Sequence, residues 1–133
     1  MSKNFNNGVW PVMLTPFTDD NRVDYDSLEK LINWYIENGV AGLFADCQSS
    51  EMFFLSLEER VELARFIKGK AAGRVPVVAS GHISDKIEDQ AEELNAVART
   101  GVDAVILLTN RLAAEEESDE VWVTYSEYTL IKN

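Results

Sequence analysis

Two patterns of apolar residues alternate along the chain, and their order predicts the fold. Short and nearly unbroken apolar runs are typical of strands that are buried on both faces. Between and after them, apolar residues recur with the period of 3.6 that marks amphipathic helices. The predicted strands lie at residues 9–15 (VWPVMLT), 41–46 (AGLFAD), 75–81 (VPVVASG) and 103–109 (DAVILLT).

Capping residues place the ends of four predicted helices. The first runs from about Asp24 to Asn38, where Asp24 or Asp26 can cap the start and Gly39 suits the left-handed stop. Each of the other three follows a serine, whose side-chain oxygen can accept from the first free N–H groups of a helix. These serines are Ser56, which has capping-box spacing to Glu59, Ser84 and Ser118.

A weak internal repeat supports the alternation of strand and helix. The segments NGVAGLF at 38–44 and TGVDAVI at 100–106 both place a helix stop, Gly-Val and a strand in the same order. Strands that alternate with helices predict a parallel sheet covered by helices. We find no linker or low-complexity tract, so residues 1–133 are predicted to form one domain or one piece of a domain. The role of the tail from about residue 123 stays open.

Charge and composition exclude several classes of partner. Twelve basic against 23 acidic residues give a formal net charge of −11, which repels nucleic acid and anionic membranes. The sequence has no apolar run of the roughly 20 residues that a membrane helix needs, and its start lacks the pattern of a signal peptide. The single cysteine, Cys47, cannot form an internal disulfide. We therefore expect a cytoplasmic protein.

Polar residues interrupt the apolar pattern directly after the second predicted strand, in LFADCQSSEMF at 43–53. In a parallel α/β fold the loops that leave the carboxyl ends of the strands meet on one rim, where ligands bind. These loops begin at Thr15, Asp46, Gly81 and Thr109. Hydroxyls and free backbone N–H groups ahead of a helix suit a small anion such as a carboxylate.

Three groups of residues carry a resemblance to a known family. They are TPF at 15–17, SSEMFFLSLEER at 49–60, and the pair VPVVASG and GVDAVILLTN at 75–81 and 101–110. With them, residues 8–122 resemble the amino-terminal part of the dihydrodipicolinate synthase and N-acetylneuraminate lyase family of class I aldolases. Members of this family are (β/α)₈ barrels, so the resemblance implies about the first four (β/α) units of a TIM barrel.

The resemblance also implies roles for residues of the polar loop. The hydroxyl pair that grips the carboxylate of a 2-oxo acid, usually pyruvate, falls on Gln48 and Ser49. An amide can donate a hydrogen bond to a carboxylate but cannot relay a proton as a hydroxyl can. The resemblance therefore implies carboxylate binding more strongly than proton relay. Residues expected to structure the rim loops are Thr15, Pro16 and Glu51.

A class I aldolase also needs a lysine whose amine is held neutral, so that it can form a Schiff base. In the family this lysine comes from the sixth strand and its partner tyrosine from the fifth, both beyond Asn133; residues 110–112 also replace the family's usual Pro-Tyr-Tyr. We expect a truncated chain that is inactive alone, needs no metal or organic cofactor, and associates with itself through its open edge. None of the six lysines falls on a predicted strand: Lys3, Lys30, Lys68, Lys70, Lys86 and Lys132.

Three other interpretations remain open from the residues alone. Cys47 and His82 could form a nucleophilic pair across the rim, although no third residue that would orient them is evident. Asp19 and Asp20 could form the acidic pocket of a signalling receiver domain, but the third strand lacks an acceptor aspartate at its end. The chain could also be a non-catalytic remnant that only pairs with a longer relative.

Overall fold

The computed structural model describes residues 5–131 of the chain. Helices and strands alternate within this range, as the sequence predicts. The helices are α1 (Tyr25–Glu37), α2 (Leu57–Ala71), α3 (Ile87–Ala98) and α4 (Asp119–Ile131), and the strands are β1 (Leu43–Ala45), β2 (Val77–Ser80) and β3 (Ala104–Ile106). Short 3₁₀ turns occupy Gln48–Ser50, Met52–Phe54 and Thr109–Arg111.

The three strands form one parallel sheet in chain order, with β2 between β1 and β3. Phe44 lies opposite Val78, and Ala79 lies opposite Val105. The prediction of parallel α/β units is therefore confirmed. This arrangement gathers the loops that follow β1, β2 and β3 at one edge of the sheet.

The first predicted strand, residues 9–15, forms only one bridge of the sheet. Val12 pairs in parallel with Phe44, and the N–H of Met13 donates to the carbonyl of Phe44 at 2.9 Å. The prediction of a full strand was wrong because Pro11 has no N–H to donate to its neighbour. The segment still lies beside β1, so four β segments follow one another across the sheet in chain order.

Helices cover one face of the sheet and leave the other open. Along residues 12–15 exposure alternates: Met13 and Thr15 are buried, whereas Val12 and Leu14 are 47% and 58% exposed. Side chains of a strand alternate between faces, so the exposed pair belongs to the face away from the helices. The buried core between sheet and helices includes Leu28, Ile32, Leu43, Ala45, Leu63, Ala64, Ile67, Val77, Ala79 and Val97.

Two of the predicted helix starts are confirmed in atomic detail. The side chain of Asp24 accepts from the N–H of Ser27 at 3.0 Å and caps α1. Ser56 and Glu59 form a reciprocal capping box at the start of α2, with hydrogen bonds of 3.2 and 2.8 Å. Helix α4 begins directly after Ser118, where the sequence places it.

The predicted cap of α3 was wrong. The helix begins after Lys86, whose side chain makes no capping bond, and not at Ser84. The hydroxyl of Ser84 instead donates to the buried carboxylate of Glu93 at 3.0 Å. A charged acceptor makes a stronger hydrogen bond than a neutral one. The Ser84 hydroxyl therefore bonds to the carboxylate and does not cap the helix.

None of the helices between residues 5 and 131 is both long enough and apolar enough to cross a bilayer.

Candidate functional site

An open cavity of 1020 Å³ lies at the carboxyl ends of the strands. Its walls come from the loops after β1, β2 and β3 and from the face of the sheet that the helices leave uncovered. Gln48 and Ser49 lie in this wall together with residues that the sequence prediction did not assign to a site. Those are chiefly Ser80, Asp85, Lys86, Ile106 and Arg111.

The loop after β1 is held firmly against the first β segment. The hydroxyl of Ser50 donates to the carbonyl of Met13 at 2.6 Å and accepts from the N–H of Cys47 at 3.1 Å. The hydroxyl of Thr15 donates to the carbonyl of Ser50 at 2.8 Å. Both serine and threonine are buried, whereas their neighbours Gln48 and Ser49 are exposed. The loop therefore has a fixed base from which two hydrogen-bonding side chains reach solvent.

Glu51 and Pro16 shape the backbone of the same loops. Glu51 is exposed and left-handed, with φ of 62°, and its N–H donates to the carbonyl of Gln48 at 3.0 Å. The carbonyl of Pro16 accepts from the N–H of Asp24 at 2.8 Å, which joins the first rim loop to the start of α1. The contacts that tie the loop to the sheet come from Thr15 and from Ser50, a residue that the sequence analysis did not single out.

A buried ion pair lies behind the rim. The guanidinium of Arg60 on α2 donates to the carboxylate of Glu93 on α3 at 2.7 Å, with side chains 2% and 8% exposed. Glu93 also accepts from the N–H groups of Ile83 and Ser84 at 2.8 and 3.1 Å. Burial acts to raise the pKa of Glu93, but these hydrogen bonds and the charge of Arg60 outweigh it and lower the pKa.

Sequence reasoning missed this pair, although a signal for it exists. Arg60 precedes Leu63, Ala64 and Ile67 at helical spacing, so it falls on the apolar face of α2. Glu93 falls in the same way beside Leu94, on the face of α3 that packs inward. A charged residue on each of two facing apolar stripes indicates a buried pair.

Asp46 directly follows β1. It is fully buried and left-handed, with φ of 47°, and neither carboxylate oxygen has a hydrogen-bond partner within the described residues. Burial raises the pKa of Asp46 to about 7; the charge of Arg60 opposes the rise and the charge of Glu93 adds to it. A carboxyl group that is half protonated near neutral pH thus lies two residues before Gln48.

Cys47 and His82 have partners other than each other. The thiol of Cys47 lies 3.4 Å from the hydroxyl of Ser50, and Nε2 of His82 accepts from the N–H of Leu108 at 2.9 Å. Burial lowers the pKa of His82, which keeps the imidazole neutral with its proton on Nδ1. The nucleophilic pair is therefore not formed: no hydrogen bond joins the two side chains in the part of the chain that the structure describes.

The acidic residues after the first β segment belong to an exposed turn. Asp20 accepts from the hydroxyl of Thr18 at 2.6 Å and from the guanidinium of Arg22 at 2.7 Å, and these contacts lower its pKa. Asp19 is exposed beside it. Across residues 5–131 no cluster of three histidine, cysteine, aspartate or glutamate side chains is placed to hold a metal ion.

Among the lysines that the structure describes, Lys86 alone lines the cavity, a position that the sequence did not predict. It is exposed at the start of α3 and not enclosed as a Schiff-base lysine must be. Lys68 and Lys70 form ion pairs with Asp103 and Glu29, both at 2.6 Å. Lys30 is exposed on α1, and Lys3 and Lys132 lie outside the described residues.

Known proteins match the chain in sequence and in structure. It is 32% identical over 103 residues to the N-acetylneuraminate lyase of Citrobacter koseri, which covers 77% of this chain and 34% of that protein. It is 38% identical over 103 residues to the 4-hydroxy-tetrahydrodipicolinate synthase of Methanocaldococcus jannaschii, with 77% and 35% covered. The chain thus spans about a third of the length of the curated relatives it matches.

The fold is also that of solved family members. The dihydrodipicolinate synthase of Acinetobacter baumannii, solved in complex with pyruvate, superposes with a TM-score of 0.86 at 27% identity, over 95% of this chain and 42% of that one. The model of the dihydrodipicolinate synthetase family matches residues 5–116, which contain Gln48, Ser49 and the start of each rim loop. These matches give no support to a receiver domain or to an unrelated α/β fold. Because the family model matches most of its length, the chain belongs to the dihydrodipicolinate synthetase family.

Proposed function

We propose that the loop after β1 binds the carboxylate of a small 2-oxo acid such as pyruvate, as part of an aldolase of this family. The amide of Gln48 and the hydroxyl of Ser49 are the donors. The observation that carries the proposal is their position: both are exposed to the cavity while Ser50 and Thr15 fix the loop beneath them. Donors on a preorganised loop bind an anion without first having to be ordered.

The family comparison supports the same ligand. The synthase of Acinetobacter baumannii, which shares the fold, was solved with pyruvate bound. Gln48 stands here where the family has a hydroxyl, and an amide binds a carboxylate without relaying protons. Carboxylate binding is thus the part of the family's chemistry that these two residues support.

The covalent step needs an amine that the described residues do not enclose. We propose that the aldolase reaction runs through a Schiff base on a lysine outside residues 5–131, and that this chain alone is inactive. Lys86, the lysine in the cavity wall, is exposed and lacks the desolvated surroundings that such an amine requires.

We also propose a cytoplasmic location and self-association through the uncovered face of the sheet, where Val12 and Leu14 are exposed.

Titration of the protein with pyruvate, followed by the amide signals of the loop in an NMR spectrum, tests carboxylate binding. We expect saturable shifts at Gln48 and Ser49 with pyruvate and none with acetone, which lacks the carboxylate. Ser49→Ala should weaken binding about 10-fold or more, because a hydrogen bond to a charged group contributes about 1.5 to 3 kcal/mol. Ser49→Thr keeps the hydroxyl and serves as the matched control. Equal affinity in all three proteins would refute the site.

Borohydride reduction tests the covalent step separately. Incubation of the chain with pyruvate and borohydride, followed by mass spectrometry, should leave the mass unchanged. An added mass that disappears in Lys86→Arg would show that Lys86 forms the Schiff base and that the chain carries its own reactive amine.

A further inference from the structure

We propose that His82 and Gln90 are positioning residues for the loop after β3, residues 108–112, and that this loop forms the cavity wall for the aldehyde-derived part of the ligand. This inference rests on the proposed function, because it concerns the cavity that also contains Gln48 and Ser49. A three-carbon acid held by those two residues fills only a small part of the 1020 Å³. The remaining space is available to the aldehyde that an aldolase joins to the acid.

His82 holds the first residue of this loop. Its side chain is fully buried, and Nε2 accepts from the N–H of Leu108 at 2.9 Å. One residue earlier, the N–H of Gly81 donates to the carbonyl of Ile106 at 3.0 Å, as strands of a sheet do. The imidazole thus extends the pairing of β2 and β3 by one step into the loop.

Gln90 on α3 holds the other end of the loop. The residue is 1% exposed, and its side-chain amide donates to the carbonyl of Arg111 at 2.6 Å. The same amide nitrogen lies 3.3 Å from the carbonyl of Asp85, which belongs to the loop after β2. One buried side chain therefore joins the backbones of two rim loops.

These contacts set the position of the Arg111 guanidinium. Its Nη1 donates to the carboxylate of Asp85 at 2.6 Å, and its Cζ lies 5.2 Å from the centre of the Phe53 ring. A guanidinium over an aromatic face is held by a cation–π interaction. Phe53 belongs to the loop after β1, and all three side chains line the cavity. Arg111 thus joins the three rim loops by direct contacts.

Side chains, and not backbone pairing, determine where this loop lies. Within the described residues, backbone-to-backbone hydrogen bonds of 108–112 stay inside the loop, as in the turn from Leu108 to Arg111 at 2.9 Å. Its bonds to other elements all involve a side chain; a further one runs from the indole N–H of Trp122 to the carbonyl of Thr109 at 2.8 Å. Supporting side chains of this kind are the general means by which a binding wall is held in a precise position.

Gln90→Met, which keeps the length of the side chain and removes its amide, tests the role of Gln90. Asp89→Asn, an exposed change at the neighbouring position, is the control. In the ligand-free protein the ring of Phe53 should shift the NMR signals of the Arg111 side-chain protons upfield, and Phe53→Leu provides the unshifted reference. We expect Gln90→Met to lose this shift and the control to keep it. A folded Gln90→Met protein that keeps the shift would refute the positioning.

Hydrogen exchange at the amide of Leu108 tests the role of His82. His82→Leu removes the acceptor, whereas His82→Gln keeps a carbonyl oxygen that can accept. We expect exchange to be about 5-fold faster or more in His82→Leu, and protection to be largely retained in His82→Gln. Equal protection in the two variants would show that His82 does not hold the loop, and the Gln90 variant remains informative if His82→Leu does not fold.

Ligand affinity tests the assignment of the wall. The probes are pyruvate and 4-hydroxy-2-oxopentanoate, the adduct of pyruvate and acetaldehyde. Gln90→Met should weaken binding of the longer acid about 10-fold or more and that of pyruvate by less than about 2-fold, since only the longer acid extends beyond the carboxylate loop. An equal loss for both acids, or for neither, would refute the assignment. If the wild-type protein binds neither acid, the proposed function fails, and the ring shift and hydrogen exchange still decide whether the two residues position the loop.

Discussion

The hydroxyl of Ser50 lies 2.6 Å from the carbonyl oxygen of Met13, a residue 37 positions earlier in the chain. The same hydroxyl accepts from the N–H of Cys47, so one side chain satisfies two buried backbone groups, one on the first β segment and one in the loop after β1. Ser50 stands between the exposed residue Ser49 and the left-handed residue Glu51. Of these two adjacent serines, Ser50 is therefore directed to the protein interior and Ser49 to the cavity.

Ser50→Ala should therefore destabilise the fold. It leaves the carbonyl of Met13 and the N–H of Cys47 without this buried partner, and an unsatisfied buried group costs about 1 to 3 kcal/mol. We expect the free energy of unfolding, measured by urea denaturation, to fall by about this amount. Ser49→Ala is the matched control and should change it by less than about 0.5 kcal/mol, as exposed substitutions do. Equal effects of the two variants would contradict the assigned orientation.

Breaking the buried ion pair should be far more costly than breaking an exposed one. Arg60→Met leaves the carboxylate of Glu93 buried without its cation, and removal of one partner of a buried pair costs about 3 to 5 kcal/mol. The double variant Arg60→Met with Glu93→Gln removes the unpaired charge and keeps a carbonyl oxygen that can accept from the N–H groups of Ile83 and Ser84, so it should recover part of this loss. Arg22→Met, which breaks the exposed pair with Asp20, is the control and should leave the unfolding free energy within experimental error. Urea denaturation of the four proteins provides the measurement.

Local patterns predicted the parts of the fold that depend on neighbours in sequence. The starts of α1 and α2 follow from Asp24 and Ser56, because each cap needs only residues within one turn. Ser84 failed as a cap because its hydroxyl meets Glu93, nine residues later, once α3 has packed. That outcome depends on tertiary structure and not on spacing.

In the candidate site, too, the sequence predicted some features and not others. The exposure of Gln48 and Ser49 to the cavity agrees with the place that the pattern gave them after a buried strand. The burial of Asp46 could not be predicted, because it depends on how the helices pack against the end of β1. The spacing of apolar residues around Arg60 places its charge on the apolar face of α2, but it does not identify the residues that pair with Arg60.

The raised pKa of Asp46 predicts a distinct dependence of stability on pH. The folded protein holds a proton on Asp46 up to about pH 7, whereas the unfolded chain releases it near the ordinary value of 3.8. Between these values the folded state binds more protons, so this residue lowers stability as pH rises, by up to about 1.4 kcal/mol per pH unit. Asp46→Asn cannot ionise and should remove this loss.

The measurement is the difference in unfolding free energy between Asp46→Asn and wild type from pH 4 to 8. The difference should grow in favour of the variant up to about pH 7 and then remain constant. The pKa values of His82 and Glu93 are lowered in the folded state, so these two residues make the protein less stable as pH falls. Their effect is the same in both proteins and cancels in the difference. Asp19→Asn, an exposed substitution, is the control. A difference that does not vary with pH would show that Asp46 is ionised in the folded state.

The uncovered face of the sheet predicts self-association of the chain. Val12 and Leu14 present apolar side chains on the side of the sheet away from the helices, and Val12 also lines the cavity. Exposed apolar surface beside an unpaired β edge favours association. Sedimentation velocity should show a mass that increases with protein concentration, and Val12→Lys with Leu14→Lys should reduce it. Trp34→Lys alters an exposed aromatic residue on α1 and should leave the association unchanged. A monomer at all concentrations in the wild-type protein, with cooperative unfolding, would mean that this face is stable in water without a partner.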